Sequence, residues 1–237
     1  MANTPREPIG ATTATPVTAP ETPAVVAPKE LFPGVFVDLT KKTVEIGGII
    51  PINAHDPAAP MVYLEVFACL PDTKEHESMV MTSVRPSHVH AAMLLIGLKP
   101  GHPGGWDLID DKLVPIEPSG DAVLVQVTYT DAGGQRILLG PEDLIVDAKT
   151  NEPFNKNTGG HWLFAGSRMV KRQGRDWYDA DGAGMLIGLT TFGGETIAWS
   201  RTISPDSNVQ APEWIASSKE TPPAGTPVRV TISAKPN

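Results

Sequence analysis

The sequence predicts an α+β fold: a mainly antiparallel β-sheet with one buried helix, at about residues 86–97, packed on it behind a disordered N-terminal tail. Three observations carry this expectation. Short runs of alternating apolar residues recur from Leu31 to Ile232, as half-buried strands require. One helical period stands among them, with Val89, Ala92, Met93 and Ile96 at i, i+3, i+4 and i+7. Residues 1–29 alternate Pro with Thr and Ala and carry no apolar period, so they cannot repay the entropy of ordering.

Taken in order, Val35, Val37 and Leu39 mark a first strand, and Thr40-Lys41-Lys42 turns it towards Val44 and Ile46. Val62, Leu64, Val66 and Ala68 form one face of the next strand, with Glu77–Val84 as its neighbour. Pro86 suits the first turn of the helix, and Gly97 with Pro100 and Gly101 ends it. Leu94, Leu95 and Leu98 make that helix apolar nearly all round, which predicts burial. Gly101–Trp106 reads as a turn with Trp106 packed back on the domain. Val123, Val125, Val127 and Tyr129 alternate in a strand, and Asp131-Ala132-Gly133-Gly134 folds it onto Arg136–Leu139. Pro141–Leu144 starts a short helix. Trp162–Ala165, Met185–Thr190, Thr196–Ser200 and Val228–Ile232 supply further strands. No internal repeat and no linker interrupt residues 30–237, so they form one domain.

Composition narrows the partners. The 237 residues include 27 acidic and 19 basic ones, a net charge of −8 that repels phosphate backbones. No nucleic acid is expected. The longest apolar run, Ala91–Leu98, is far shorter than the ~20 residues of a spanning helix, so no transmembrane segment is expected either. Residues 1–29 also lack the basic start and apolar stretch of a signal peptide. Cys69 is the single cysteine, which excludes an intrachain disulfide or a cysteine-ligated cluster; its apolar setting reads as a buried small hydrophobe.

Polar chemistry concentrates between Met61 and Trp106. His88 and His90 would share a metal on a strand, but on a helix they stand about 200° apart. The helical reading therefore makes them packing or hydrogen-bonding groups near a helix start. Asp72–Glu77 gathers carboxylates and an imidazole that suit a metal site or an acid–base pair, or only a solvated loop. Gly101–Gly105 follows a helix, whereas phosphate loops precede one. Asp176, Asp179 and Asp181 fail the calcium-loop spacing, since Trp177 and Gly188 fall on ligand positions, and read as a tight turn. No hydrolase elbow, zinc-protease helix, nucleotide loop or dinucleotide fingerprint occurs in the sequence.

Several stretches resemble the YdjY-domain family of bacterial proteins, in particular its planctomycete-type members. They are Leu31–Val35, Tyr63–Val66, Thr73–Ser78, Arg85–Ala92, Leu95–Leu98, Phe164–Ser167 and Gly225–Val228. The resemblance spans nearly everything after the tail and implies a fold and possible export, but no mechanism. A ferredoxin-like role attached to part of that family needs a cysteine cluster that Cys69 alone does not supply.

The resulting expectation is a non-catalytic binding or assembly module for a small-molecule or protein ligand, with no cofactor. Its site combines Glu75, His76, Glu77 and Ser78 with the helix entrance Arg85, Ser87, His88 and His90. There Arg85 and the positive helix end would meet an anionic group. Two alternatives stand beside it: a metal-assisted hydrolase using His76, Glu77 and His88, and a purely structural, envelope-associated domain.

Overall fold

The computed structural model describes residues 27–56, 58 and 61–236; most of the expected tail lies outside them. The chain opens with β1 (Lys29–Phe32), β2 (Val35–Asp38), β3 (Thr43–Ile49) and β4 (Val66–Cys69). A single 3-10 turn, Glu75–Glu77, leads into β5 (Ser78–Met81) and α1 (Pro86–Leu95). Next come the hairpin β6 (Gly105–Ile109) and β7 (Lys112–Ile116), the long β8 (Ala122–Thr130) and β9 (Arg136–Leu139). The short α2 (Pro141–Leu144), β10 (Ile145–Asp147), α3 (Phe154–Thr158) and β11 (Trp162–Leu163) follow. A second hairpin, β12 (Met169–Arg172) and β13 (Arg175–Tyr178), precedes α4 (Asp179–Ala183) and β14 (Met185–Gly188). The chain closes with β15 (Ile197–Trp199), β16 (Trp214–Ala216) and β17 (Pro227–Ala234).

The expected α+β layer, one helix laid across an open sheet, is not what these strands build. They form a mostly β protein around a closed eight-stranded barrel, ordered β3-β17-β8-β11-β15-β14-β4-β5, with β5 returning to β3 at Ile49↔Met81. Closure leaves the barrel strands without free edges, and β1–β2 and β9 extend the sheet from β3 and β8. Alternation places whole rows of side chains on one face. Val35, Ile46, Val230 and Val127 pair strand to strand, as do Val37, Val44, Ile232 and Val125, and all are buried. Each such side chain contributes roughly 1.5–3 kcal/mol of burial free energy. Cys69 is wholly buried among them, and burial pushes its thiol up.

The expected helix does form, with Pro86 in its first turn. It is narrower in its packing than its composition suggests. Val89, Ala92, Met93 and Ile96 face β2, β3 and α4, while Leu94 and Leu95 remain 47% and 50% exposed. The core is the barrel interior, and α1 covers one flank of it.

Two connections set the geometry of the functional region. β4 and β5 are adjacent and parallel, and so are β14 and β15; β4 and β14 pair antiparallel between them. Each parallel pair is joined by an eight-residue loop, 70–77 and 189–196. The two units therefore share a topology without sharing a sequence pattern, which is why no repeat is visible in the residues.

Candidate functional site

The loop before β5 meets two other segments at one end of the barrel. Leu64 N–H donates to the Trp214 carbonyl at 2.8 Å and Glu65 N–H to the Glu77 carbonyl at 3.1 Å, while Tyr63 bridges to Ile215. Lys74 ties the charges together. Its Nζ donates to Glu65 Oε2 at 2.6 Å and to Glu77 Oε2 at 3.1 Å, and lies 4.8 Å from the Phe192 ring centre.

The same lysine leaves the two carboxyl groups unlike. Burial pushes Glu65 up in spite of Lys74. At Glu77 burial acts the same way, but Lys74 and the Glu65 hydrogen bond outweigh it and hold the carboxyl low. Burial would likewise depress Lys74, yet its two carboxylates keep it above the ordinary ammonium range.

Two cavities open beside this triad. One, of about 460 Å³, is lined by Tyr63, Glu65, Glu77, Ile203, Gln210 and Trp214 among others. The other, of about 450 Å³, is lined by residues that include Ile52, Asn53, Asp56, Asn151, Ile215 and Ser218. Met61, Val62 and His76 line both, so the 61–63 segment is the partition between them. Volumes of this size suit small ligands.

Of the expected site, His76 and Glu77 face these cavities, with His76 Nε2 3.8 Å from Glu77 Oε1. Glu75 turns back on its own loop, where Oε2 accepts from Thr73 N–H at 2.9 Å; backbone N–H groups at Glu75 and Thr73 hold its carboxyl low. Ser78 is buried, and its Oγ donates to the Val80 carbonyl at 3.0 Å.

The helix entrance is elsewhere. Strand β5, about 13 Å of extended chain, separates it from the 3-10 turn. Ser87 donates to Asp181 through both its N–H (2.8 Å) and its Oγ (2.6 Å), so a carboxylate of the protein already occupies the positive helix end. Arg85 is exposed and lines neither cavity.

His88 stacks on Phe32 at 4.5 Å between ring centres. His90 Nδ1 lies 2.9 Å from Tyr178 Oη, which donates to the Gly166 carbonyl at 3.0 Å and lies 3.1 Å from Thr196 Oγ1. Burial lowers His90 and raises Tyr178. The structure thus brings together two of the eight expected residues at a cavity and spreads the others over packing roles.

A family model of the YdjY domain matches residues 35–233, the span that holds the barrel, α1 and both hairpins. The chain belongs to the YdjY domain family. Comparison with curated proteins and with solved structures gives no significant match. What this YdjY domain can do must therefore be read from its own groups.

Among the described residues no group of three or more His, Cys, Asp or Glu is placed to hold a metal ion. The triad proposed from sequence for a metal-assisted hydrolase is split, because His88 sits on α1 with Phe32 while His76 and Glu77 line the cavities. Sequence reasoning missed Met61, Tyr63, Gln210 and Trp214. Nothing periodic marks them; they meet because the segment before β4 bridges to β16 at Tyr63↔Ile215, some 150 residues later in the chain. Where the sequence predicts a tight turn at Asp181, the structure places it in α4, from which it caps α1.

Proposed function

We propose that this YdjY domain is a non-catalytic binding module whose ligand enters the cavity of about 460 Å³ beside the Glu65–Lys74–Glu77 triad. One observation carries the reading: two cavities share a partition formed by Met61, Val62 and His76, with Met61 itself 61% exposed. Apolar walls with a few convergent polar groups are the usual make-up of a ligand site. Glu65 and Glu77 share Lys74 at the wall of this cavity, and Glu213 adds a lining carboxylate with no ion pair among the described residues, which favours a ligand with a cationic or hydrogen-bond-donating head. The planctomycete-type subgroup and an envelope location belong to this same proposal, supported by the motif resemblance alone.

The test is a fragment screen by NMR or crystal soaking that includes small amines and polyols. Amine-bearing fragments should occupy the cavity beside Glu77, and Glu77→Gln together with Tyr63→Ala should abolish their binding while the melting temperature holds. Fragments that settle elsewhere on the protein and leave this cavity empty would sink the proposal.

A second reading draws on the same carboxyl groups. Glu65 pushed up and Glu77 held down at one cavity wall is the division that general acid–base chemistry uses. It is the enzyme alternative that the geometry favours over the metal-assisted one. Turnover that survives chelation and is lost in both Glu65→Gln and Glu77→Gln would select it.

A further inference from the structure

Two hairpins leave the barrel exposed, and their surfaces are opposite in charge. In β6–β7 the side chains of Trp106, Leu108, Ile109, Leu113, Val114 and Ile116 are 37–64% exposed. The ladder pairs Trp106 with Pro115 and Leu108 with Leu113, so one face of this ribbon is wholly apolar. Ile109, Val114 and Ile116 sit on the other face beside Asp107 and Lys112, so that side is mixed and the apolar one is the Trp106–Leu113 face. Such a ribbon is marginal in water unless something covers it. Its polar residues are Asp107, Asp110, Asp111 and Lys112, a net charge of −2.

The β12–β13 hairpin is the counterpart. Met169 is 61% and Trp177 49% exposed, and Trp177 shares its face with Val170, Arg172 and Arg175. Lys171, Arg172, Arg175 and Asp176 give it a net charge of +2 on a chain that is −8 overall. Arg172 pairs with Asp179, whereas Lys171 and Arg175 make no ion pair among the described residues. The two ribbons start side by side: a Cβ built on Gly193 would lie 3.4 Å from the Gly104 carbonyl below β6 and 3.6 Å from the Arg168 guanidinium below β12.

We infer that these hairpins form the interface of a two-fold dimer, in which the acidic β6–β7 ribbon of each copy lies on the basic β12–β13 ribbon of the other. The occupant is a second copy because the chain carries both complementary surfaces at one end. An arrangement that satisfies both at once is closed and isologous, so it stops at two copies instead of growing into a fibre. The apolar area involved, on the order of several hundred Å², is of the size that marks an interaction site. Burying Trp177 and Trp106 supplies the anchors, and the opposite charges set the register. This inference does not use the cavities.

Sedimentation of the full chain tests it through charge exchange. Asp107→Lys with Asp110→Asn and Asp111→Asn turns the acidic ribbon to +2 and keeps Asn at the two turn positions. Lys171→Glu with Arg175→Glu turns the basic ribbon to −2. The wild type should sediment as a dimer, each variant alone should lose at least tenfold in dimer affinity, and an equimolar mixture should recover a heterodimer. Recovery is expected because each reversed ribbon then meets a ribbon of opposite sign. A wild type that stays monomeric at every concentration overturns the inference. So does a dimer indifferent to both sets of changes, or a mixture that fails to pair while each variant keeps its native circular dichroism. Leu108→Ser with Leu113→Ser should dissociate the dimer without changing the charges; its persistence would equally count against the interface.

Discussion

Asp181 caps a helix to which it is not connected: its carboxylate accepts from Ser87 N–H at 2.8 Å and from Ser87 Oγ at 2.6 Å. Arg85, at the ordinary capping position, makes no such bond with its side chain. Asp181 thus holds α4 to α1 and satisfies a donor that the helix itself leaves open. Asp181→Ala should destabilise the fold by about 1 kcal/mol, within the range for lost caps, measured as a denaturant midpoint shift at constant slope. Asp181→Asn keeps an acceptor and should cost less.

The hub at Tyr178 should respond more strongly. Its hydroxyl joins His90, the Gly166 carbonyl and Thr196 where burial is high. Tyr178→Phe keeps the ring contacts with His90 and strips the bonds from three partners, a loss of about 1–3 kcal/mol.

A pH signature follows from His90. Burial lowers its pKa from 6.5, so below that value the unfolded chain takes up a proton that the folded chain refuses. Its contribution to stability is therefore present above pH 6.5 and declines as pH falls towards the folded pKa. Comparing wild type with His90→Gln isolates this, since the carboxylates titrate alike in both. The difference between their stability curves should shrink as pH drops from 6.5; a constant difference would assign the role of His90 to packing alone.

The helix and most strands were legible because each is written locally. Pro86 and the Val89–Ile96 period suffice for α1, and the alternation of Val123, Val125 and Val127 suffices for β8. Barrel closure was not legible. It rests on Ile49 meeting Met81 and on two parallel registers, none of which leaves a mark in the neighbouring residues. The expected turn at Gly101–Trp106 holds for residues 101–104 and gives way at Gly105 and Trp106, which start β6, with Trp106 37% exposed. Asp110-Asp111 and Gln173-Gly174 are two-residue turns with positive φ at both positions, the kind that joins tight hairpins. Asp and Gly at such places are a usable hairpin signal, and Asp110-Asp111 stands between the apolar runs Trp106–Ile109 and Leu113–Ile116. The site suffered from the same locality. His76 and Glu77 stood out as a polar cluster, whereas Trp214 and Gln210 become neighbours only through β16.

Glu195 offers the last prediction. It is buried, its Oε1 accepts from Phe192 N–H and from Gly193 N–H, and its Oε2 finds no hydrogen-bond partner among the described residues. Burial pushes its carboxyl up from 4.5 against the pull of those N–H groups. A raised folded pKa means that the folded state holds a proton the unfolded state has released. The corresponding stability is complete below pH 4.5 and is lost as pH rises through the folded pKa. Glu195→Gln keeps the accepting oxygen and has no charge to bury, so it should stabilise the protein at neutral pH and leave it nearly unchanged at pH 4. Thermal denaturation at the two pH values checks this. Equal destabilisation at both would mean that Glu195 is held ionised by the Phe192–Gly193 backbone, and that the N–H groups outweigh desolvation in the β14–β15 loop.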